Sequence, residues 1–114
     1  MNLLVVLSHA PYDGADVAWN ALRLAATARE QGLGVRLFLI NDGVDVGRAA
    51  PDGAEFDLGE MLSGLAEQGA EVLLCGTCMD RCGIATGDVA PGVERGSMDA
   101  LVSWLQTSDR TISF

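Results

Sequence analysis

Hydrophobic positions in this chain alternate between short unbroken runs and stripes at helical spacing. Asn2 to Leu7 is a nearly continuous β-rich apolar run, the pattern of a strand buried on both faces of a parallel sheet, and it is expected to be a central first strand. Ser8 to Gly14 reads as a loop. Val17, Ala21, Leu24, Ala25 and Ala28 then recur at helical spacing up to a stop at Gly32. Val35 to Ile40 is a second buried strand, ended by the turn residues Asn41, Asp42 and Gly43. Leu58, Met61, Leu62 and Leu65 mark a second helix, with Asp57 and Glu60 spaced as N-cap and reciprocal partner and Gly69 as the stop. Glu71 to Leu74 is a third strand. Gly87, Pro91 and Gly92 break the stretch from Gly83 to Gly96 into a helical turn and a short strand near Val93. Ser97 is placed to cap a last helix carrying Leu101, Val102, Trp104 and Leu105, and Arg110 to Phe114 reads as a closing strand.

Asp42 to Glu55 shows neither period and contains Gly43, Gly47, Pro51 and Gly53. It is expected to be a loop above the sheet edge, placed to act as a lid. Strands alternating with helices through right-handed crossovers give an α/β fold, a three-layer α/β/α sandwich on a mainly parallel sheet. The chain of 114 residues has the size of one domain, 1–114, with no internal repeat or low-complexity tract.

Charge narrows the partners. The formal net charge is -9 and every basic residue is an arginine, so phosphate backbones and anionic membranes are repelled. Neither direct nucleic-acid binding nor membrane association is expected. The apolar run from Leu3 to Leu7 is too short for a signal or spanning segment, which points to a soluble, cytoplasmic protein. A mean hydropathy of +0.26 with 49% hydrophobic residues is high for so small a domain, and implies apolar surface covered by further copies in a homo-oligomer.

All three cysteines, Cys75, Cys78 and Cys82, lie within eight residues that follow directly on the third strand. The C-terminal ends of parallel strands form the ligand-facing edge of such sheets, so sulfur collects where chemistry is done. In a reducing compartment an odd cluster of cysteines reads as catalytic, redox or metal-binding rather than as a disulfide framework. Cys75 and Cys78 have the Cys-x-x-Cys spacing that lets two sulfurs meet on one turn for dithiol exchange. A helical turn after Cys75 would aim backbone N–H groups at its sulfur; Arg81 would act in the same sense, while Asp80 opposes it. The bland alternative makes Cys75 a small buried hydrophobe and the other two bystanders.

A Cys3His metal site formed with His9, the only histidine, is conceivable because the first loop reaches the same edge. The spacing is not that of a zinc knuckle, and neither a resident metal nor a cofactor is expected. His9 otherwise reads as a loop histidine bonded nearby or as a proton donor or acceptor beside the thiols. Asp42 reads as a turn former or a polar wall of the pocket. Trp19 and Trp104 read as core or subunit-contact residues. Ser8 to Gly14 has one glycine and no lysine, so no phosphate cradle is indicated.

Four pieces together resemble the DsrE/DsrF-like (TusD-like) sulfur-relay family over essentially the whole chain. They are the opening strand and its loop, Leu37 through Val44, Leu74 through Ile84, and the ending from Gly96-Ser97-Met98-Asp99 to Ile112-Ser113-Phe114. The resemblance implies a five-stranded α/β/α domain assembled as a homotrimer or homohexamer and engaged in intracellular sulfur trafficking. In relay members, a cysteine ending the third strand, followed after several residues by a basic residue and glycine, carries sulfur as a persulfide. Cys75 takes that position.

On this reading the chain is a sulfur carrier, or a sulfurtransferase, taking sulfane sulfur from a donor protein and passing it to an acceptor protein's thiol. Cys78 would either shield the persulfide or release sulfide by closing a disulfide with Cys75. A thiol at Cys78 is common in the smaller members, whereas Cys82 departs from the family pattern and is either a resolving thiol or a bystander. The alternative is a non-catalytic oligomeric module of the same fold that binds a small ligand or a partner. The carrier reading requires that the Cys75 sulfur be reachable by solvent or by a neighbouring protomer; sealed from both, it leaves only a scaffold.

Overall fold

A computed structural model describes residues 1–48 and 53–114. The strands are β1 (Asn2–Leu7), β2 (Gly34–Leu39), β3 (Glu71–Cys75), β4 (Glu94–Gly96) and β5 (Arg110–Ser113). The helices are α1 (Val17–Glu30), α2 (Leu58–Glu67), α3 (Gly76–Cys82) and α4 (Met98–Thr107). All paired strands run parallel, in the order β4-β3-β2-β1-β5.

This order determines how the sheet is covered. From β1 through β4 each step moves one strand in the same direction, so right-handed crossovers place α1, α2 and the β3–β4 connection on one face. Only the long return from β4 to β5 puts a helix, α4, on the other. The core lies mainly on the first face, where Val35, Leu37 and Leu39 of β2 meet Ala21, Leu22, Leu62 and Leu65 in a fully buried cluster. On the second face Phe38 is also buried, with Trp104 of α4 edge-on to it at 6.3 Å between ring centroids. Arg36 lies over the same indole at 5.7 Å. α4 has no buried residue, and Met98, Val102 and Leu105 are about half exposed.

Both N-caps form, but the reciprocal bond from the Glu60 carboxylate to the Asp57 N–H is not among the hydrogen bonds of the described residues. Asp57 accepts a hydrogen bond from the Glu60 N–H at 3.0 Å, and Ser97 accepts one from the Ala100 N–H at 3.2 Å. Trp19 stacks on Phe56 at 4.7 Å.

The segment after β2 differs from expectation. Asn41–Gly47 is not an open loop but a 3-10 helix, with Gly43, Val44, Val46 and Gly47 buried. It packs this closely because glycine lets it approach the sheet: a Cβ on Gly43 would collide with the Leu7 carbonyl, and one on Gly47 would come within 2.9 Å of Leu74. Gly43, Val44, Val46 and Gly47 are therefore packed into the core, and this segment is not a lid. The rest of the expected lid includes 49–52, which lie outside the described residues. No helix is long and apolar enough to cross a membrane.

Candidate functional site

β3 carries the chain to the C-terminal edge of the sheet, and Cys75 is both its last residue and the N-cap of α3. The helical turn considered after Cys75 is thus a seven-residue helix, ended by Gly83 in the left-handed conformation at φ 71°. Cys78 sits in the first turn of this helix and Cys82 is its last residue, so the three thiols fall at i, i+3 and i+7 along one side. None is in a disulfide.

Burial separates them. Cys75 is only 2% exposed, whereas Cys78 and Cys82 are half-buried. The requirement of a directly reachable Cys75 is thus not met in the single chain. The strand that delivers Cys75 to the edge ends under α3 and against the core, and of the Cys75–Cys78 pair Cys78 is the more exposed residue.

Cys78 has two neighbours of consequence. The backbone N–H of Asn41 donates to its Sγ at 3.2 Å, from a residue in the left-handed region at φ 53°. The Cys75 thiol is the other. Burial pushes the Cys78 thiol above the ordinary cysteine range, Cys75 adds to the effect, the Asn41 N–H opposes it, and Cys82 adds a smaller contribution. The expectation for Asn41 was turn formation alone; its amide also serves the thiol.

The charges are arranged differently from the sequence reading. Arg81 is exposed and makes no ion pair among the described residues. The cation next to Cys75 is Arg95 of β4, a residue the sequence does not single out. The parallel register sets Arg95 opposite Leu74, and its guanidinium lies across Gly76, where a Cβ would come within 2.7 Å of Nε. Arg95 is held there by Asp80, whose two carboxylate oxygens each accept a guanidinium N–H at 2.8 Å. Arg95 holds the Asp80 carboxyl below the usual range. Asp80 therefore neutralises the cation rather than acting on the thiols.

His9 is not brought to the thiols. It pairs with Asp13 across its own loop. Asp13 is held below the usual carboxylate range, chiefly by the Ala15 N–H that its side chain accepts, with His9 contributing less. Asp42 lies exposed in the first turn of the 3-10 helix, the turn role. Among the described residues no three His, Cys, Asp or Glu side chains converge as a metal site, so the Cys3His arrangement is not formed. Cys82 offers its carbonyl to Arg48 Nη2 at 2.7 Å, and Arg48 Nε pairs with Asp45 at 2.7 Å. This tie fastens the end of α3 to the 3-10 segment.

The chemistry available is that of two adjacent free thiols of unequal exposure, with a backbone donor on the outer sulfur. The DsrE/DsrF-like family model matches residues 1–114. An uncharacterized protein of Methanopyrus kandleri is 44% identical, covering 98% of this chain and 93% of its own. YchN of Escherichia coli is 38% identical, covering 98% of this chain and 97% of its own. The crystal structure of the Escherichia coli protein superposes over 100% of both chains with a TM-score of 0.89. A Bacteroides thetaiotaomicron protein of unknown function shares the fold at 15% identity, with a TM-score of 0.76 over 99% of this chain and 94% of its own. The chain belongs to the DsrE/DsrF-like family.

Proposed function

We propose that this protein is a cytoplasmic sulfur carrier that takes sulfane sulfur from a donor protein as a persulfide on the Cys75–Cys78 pair and passes it to an acceptor protein's thiol. The observation that carries this reading is the pairing itself: a half-buried Cys78 sulfur with a backbone N–H donor, directly beside a second free thiol on the sheet edge. Uptake is attack by a thiolate on the outer sulfur of the donor persulfide, which leaves as its thiolate. Delivery is the same exchange in reverse with the acceptor. The chain's acidity favours a protein over an RNA as acceptor. The half-exposed Met98, Val102 and Leu105 on the sparsely covered sheet face support self-association, with a trimer or hexamer as the expected form.

Protein incubated with a labelled persulfide and then with a thiol-bearing acceptor tests the reading. Label is expected to reach the acceptor through the wild type and not through a Cys75→Ser/Cys78→Ser variant; equal transfer by both removes it.

The burial of Cys75 favours a second reading, a non-catalytic binding module. A groove of about 680 Å³, lined in part by Arg48, Ser63, Asp88 and Pro91, is separate from all three thiols. That reading predicts that the double serine variant retains every binding property of the wild type.

A further inference from the structure

The two thiols of the pair are not equivalent. Cys75, at 2% exposure, cannot meet a sulfur held on another protein, while Cys78 is half-buried and faces outward. Yet Cys75 lies against Cys78 at the N-terminal turn of α3, three residues away along the chain. An inner thiol that touches only an outer thiol has one partner for exchange at sulfur, and which sulfur is attacked is decided by access.

We infer that Cys78 is the loading thiol and Cys75 a resolving thiol, so that the protein discharges an undelivered persulfide as hydrogen sulfide by closing a Cys75–Cys78 disulfide. This rests on the carrier reading and adds an activity to it, persulfide reduction. In loading, the Cys78 thiolate attacks the outer sulfur of a donor R–S–SH, giving Cys78–S–SH and the thiolate R–S⁻. In discharge, the Cys75 thiolate attacks Cys78 Sγ. The bond between Cys78 Sγ and the sulfane sulfur breaks, hydrosulfide leaves and takes a proton from water, and the Cys75–Cys78 bond forms. Two cysteine sulfurs are oxidised by one electron each, and the sulfane sulfur is reduced by two to sulfide. A dithiol reductant returns the pair to its starting state.

The arrangement suits this order. The Asn41 N–H at 3.2 Å holds Cys78 Sγ at the point where both the donor and Cys75 must act. Cys78 is part-exposed, so hydrosulfide released from it passes to solvent. Cys82 is four residues further along α3, with its carbonyl held by Arg48 at the far end of the helix from Cys75. Carrier and reductase then differ only in whether an acceptor thiol reaches the outer sulfur before Cys75 reaches the inner one.

The experiment is reaction of the full chain with a small-molecule persulfide in the absence of acceptor, reading free sulfide and the mass of the peptide holding residues 75–82. Wild type is expected to give one sulfide and one Cys75–Cys78 disulfide per chain. Cys75→Ser is expected to retain one extra sulfur on Cys78 and to release at least tenfold less sulfide. Cys78→Ser is expected to do neither. A wild type that holds a lasting persulfide without sulfide release overturns the discharge step and leaves the carrier reading intact, as does equal sulfide from Cys75→Ser. Failure of both wild type and Cys75→Ser to take up sulfur overturns the carrier reading and the discharge with it. Circular dichroism of each variant separates loss of chemistry from loss of fold.

Discussion

The Asn41 amide meets the Cys78 sulfur across 37 residues of sequence, N to Sγ 3.2 Å. To aim it there, Asn41 adopts φ 53°, a left-handed conformation that asparagine tolerates and β-branched residues do not. Asn41→Val is expected to destabilise the fold by about 1–2 kcal/mol and to alter the alkylation rate of Cys78. Asn41→Gly keeps the backbone conformation and is expected to preserve both. Denaturant unfolding and a timed iodoacetamide reaction check the pair, and an unaffected Asn41→Val contradicts this account of the turn.

Burial and the Cys75 thiol both hold the proton on Cys78. Alkylation of Cys78 is therefore expected to rise through a midpoint above that of an ordinary cysteine. Cys75→Ala removes the second-largest raising cause after burial, so the midpoint should move down and the rate at neutral pH should increase. The sign for stability follows. The unfolded chain releases this proton at lower pH than the folded one, so above the ordinary thiol range the unfolded state binds fewer protons and stability declines as pH rises. A Cys78 midpoint below the ordinary range, or one that Cys75→Ala raises, contradicts the assignment.

Two glycines near the site should respond differently to a methyl group. Gly43 is buried against the Leu7 carbonyl, a backbone atom that cannot yield, and Gly43→Ala is expected to cost about 3 kcal/mol. Gly76 meets only the guanidinium of a long, partly exposed side chain. Gly76→Ala is expected to displace Arg95 from Asp80 at a cost below about 1 kcal/mol. Thermal unfolding distinguishes the two, and equal costs would mean that Arg95 is fixed more firmly than its ion pair implies.

Val102 and Leu105 are about half exposed on α4, so charging them leaves the core of the single chain alone. Val102→Glu/Leu105→Glu is expected to change the stability of the protomer by about 1 kcal/mol at most while abolishing the proposed self-association. Light scattering reads the result; a double variant that still assembles removes this face from the interface.

Much of the fold was legible because its signals are local. Asp57 and Ser97 cap helices within three residues of themselves, and the runs in β1, β2 and β3 need only the apolar pattern. The 3-10 helix at Asn41–Gly47 was not recognised, because its two glycines resemble loop punctuation. The available signal was Val44 and Val46 between them, apolar residues that a solvent loop has no reason to hold. The cysteine cluster was legible as a site, but not its internal order. Which thiol faces out depends on how α3 leaves the strand, and the Arg95–Asp80 clamp depends on the β3–β4 register. Neither relation is written in local spacing. The basic residue nearest in sequence, Arg81, drew attention from the one nearest in space.

On the proposed function, sulfane sulfur rides on the Cys75–Cys78 pair and enters at the outer thiol. Peptide mass spectrometry of the protein a few seconds after mixing with a persulfide donor decides the matter. The predicted result is one added sulfur localised to Cys78 in the Cys75→Ser variant. Sulfur found on Cys82 alone, or retained in the Cys75→Ser/Cys78→Ser variant, contradicts it.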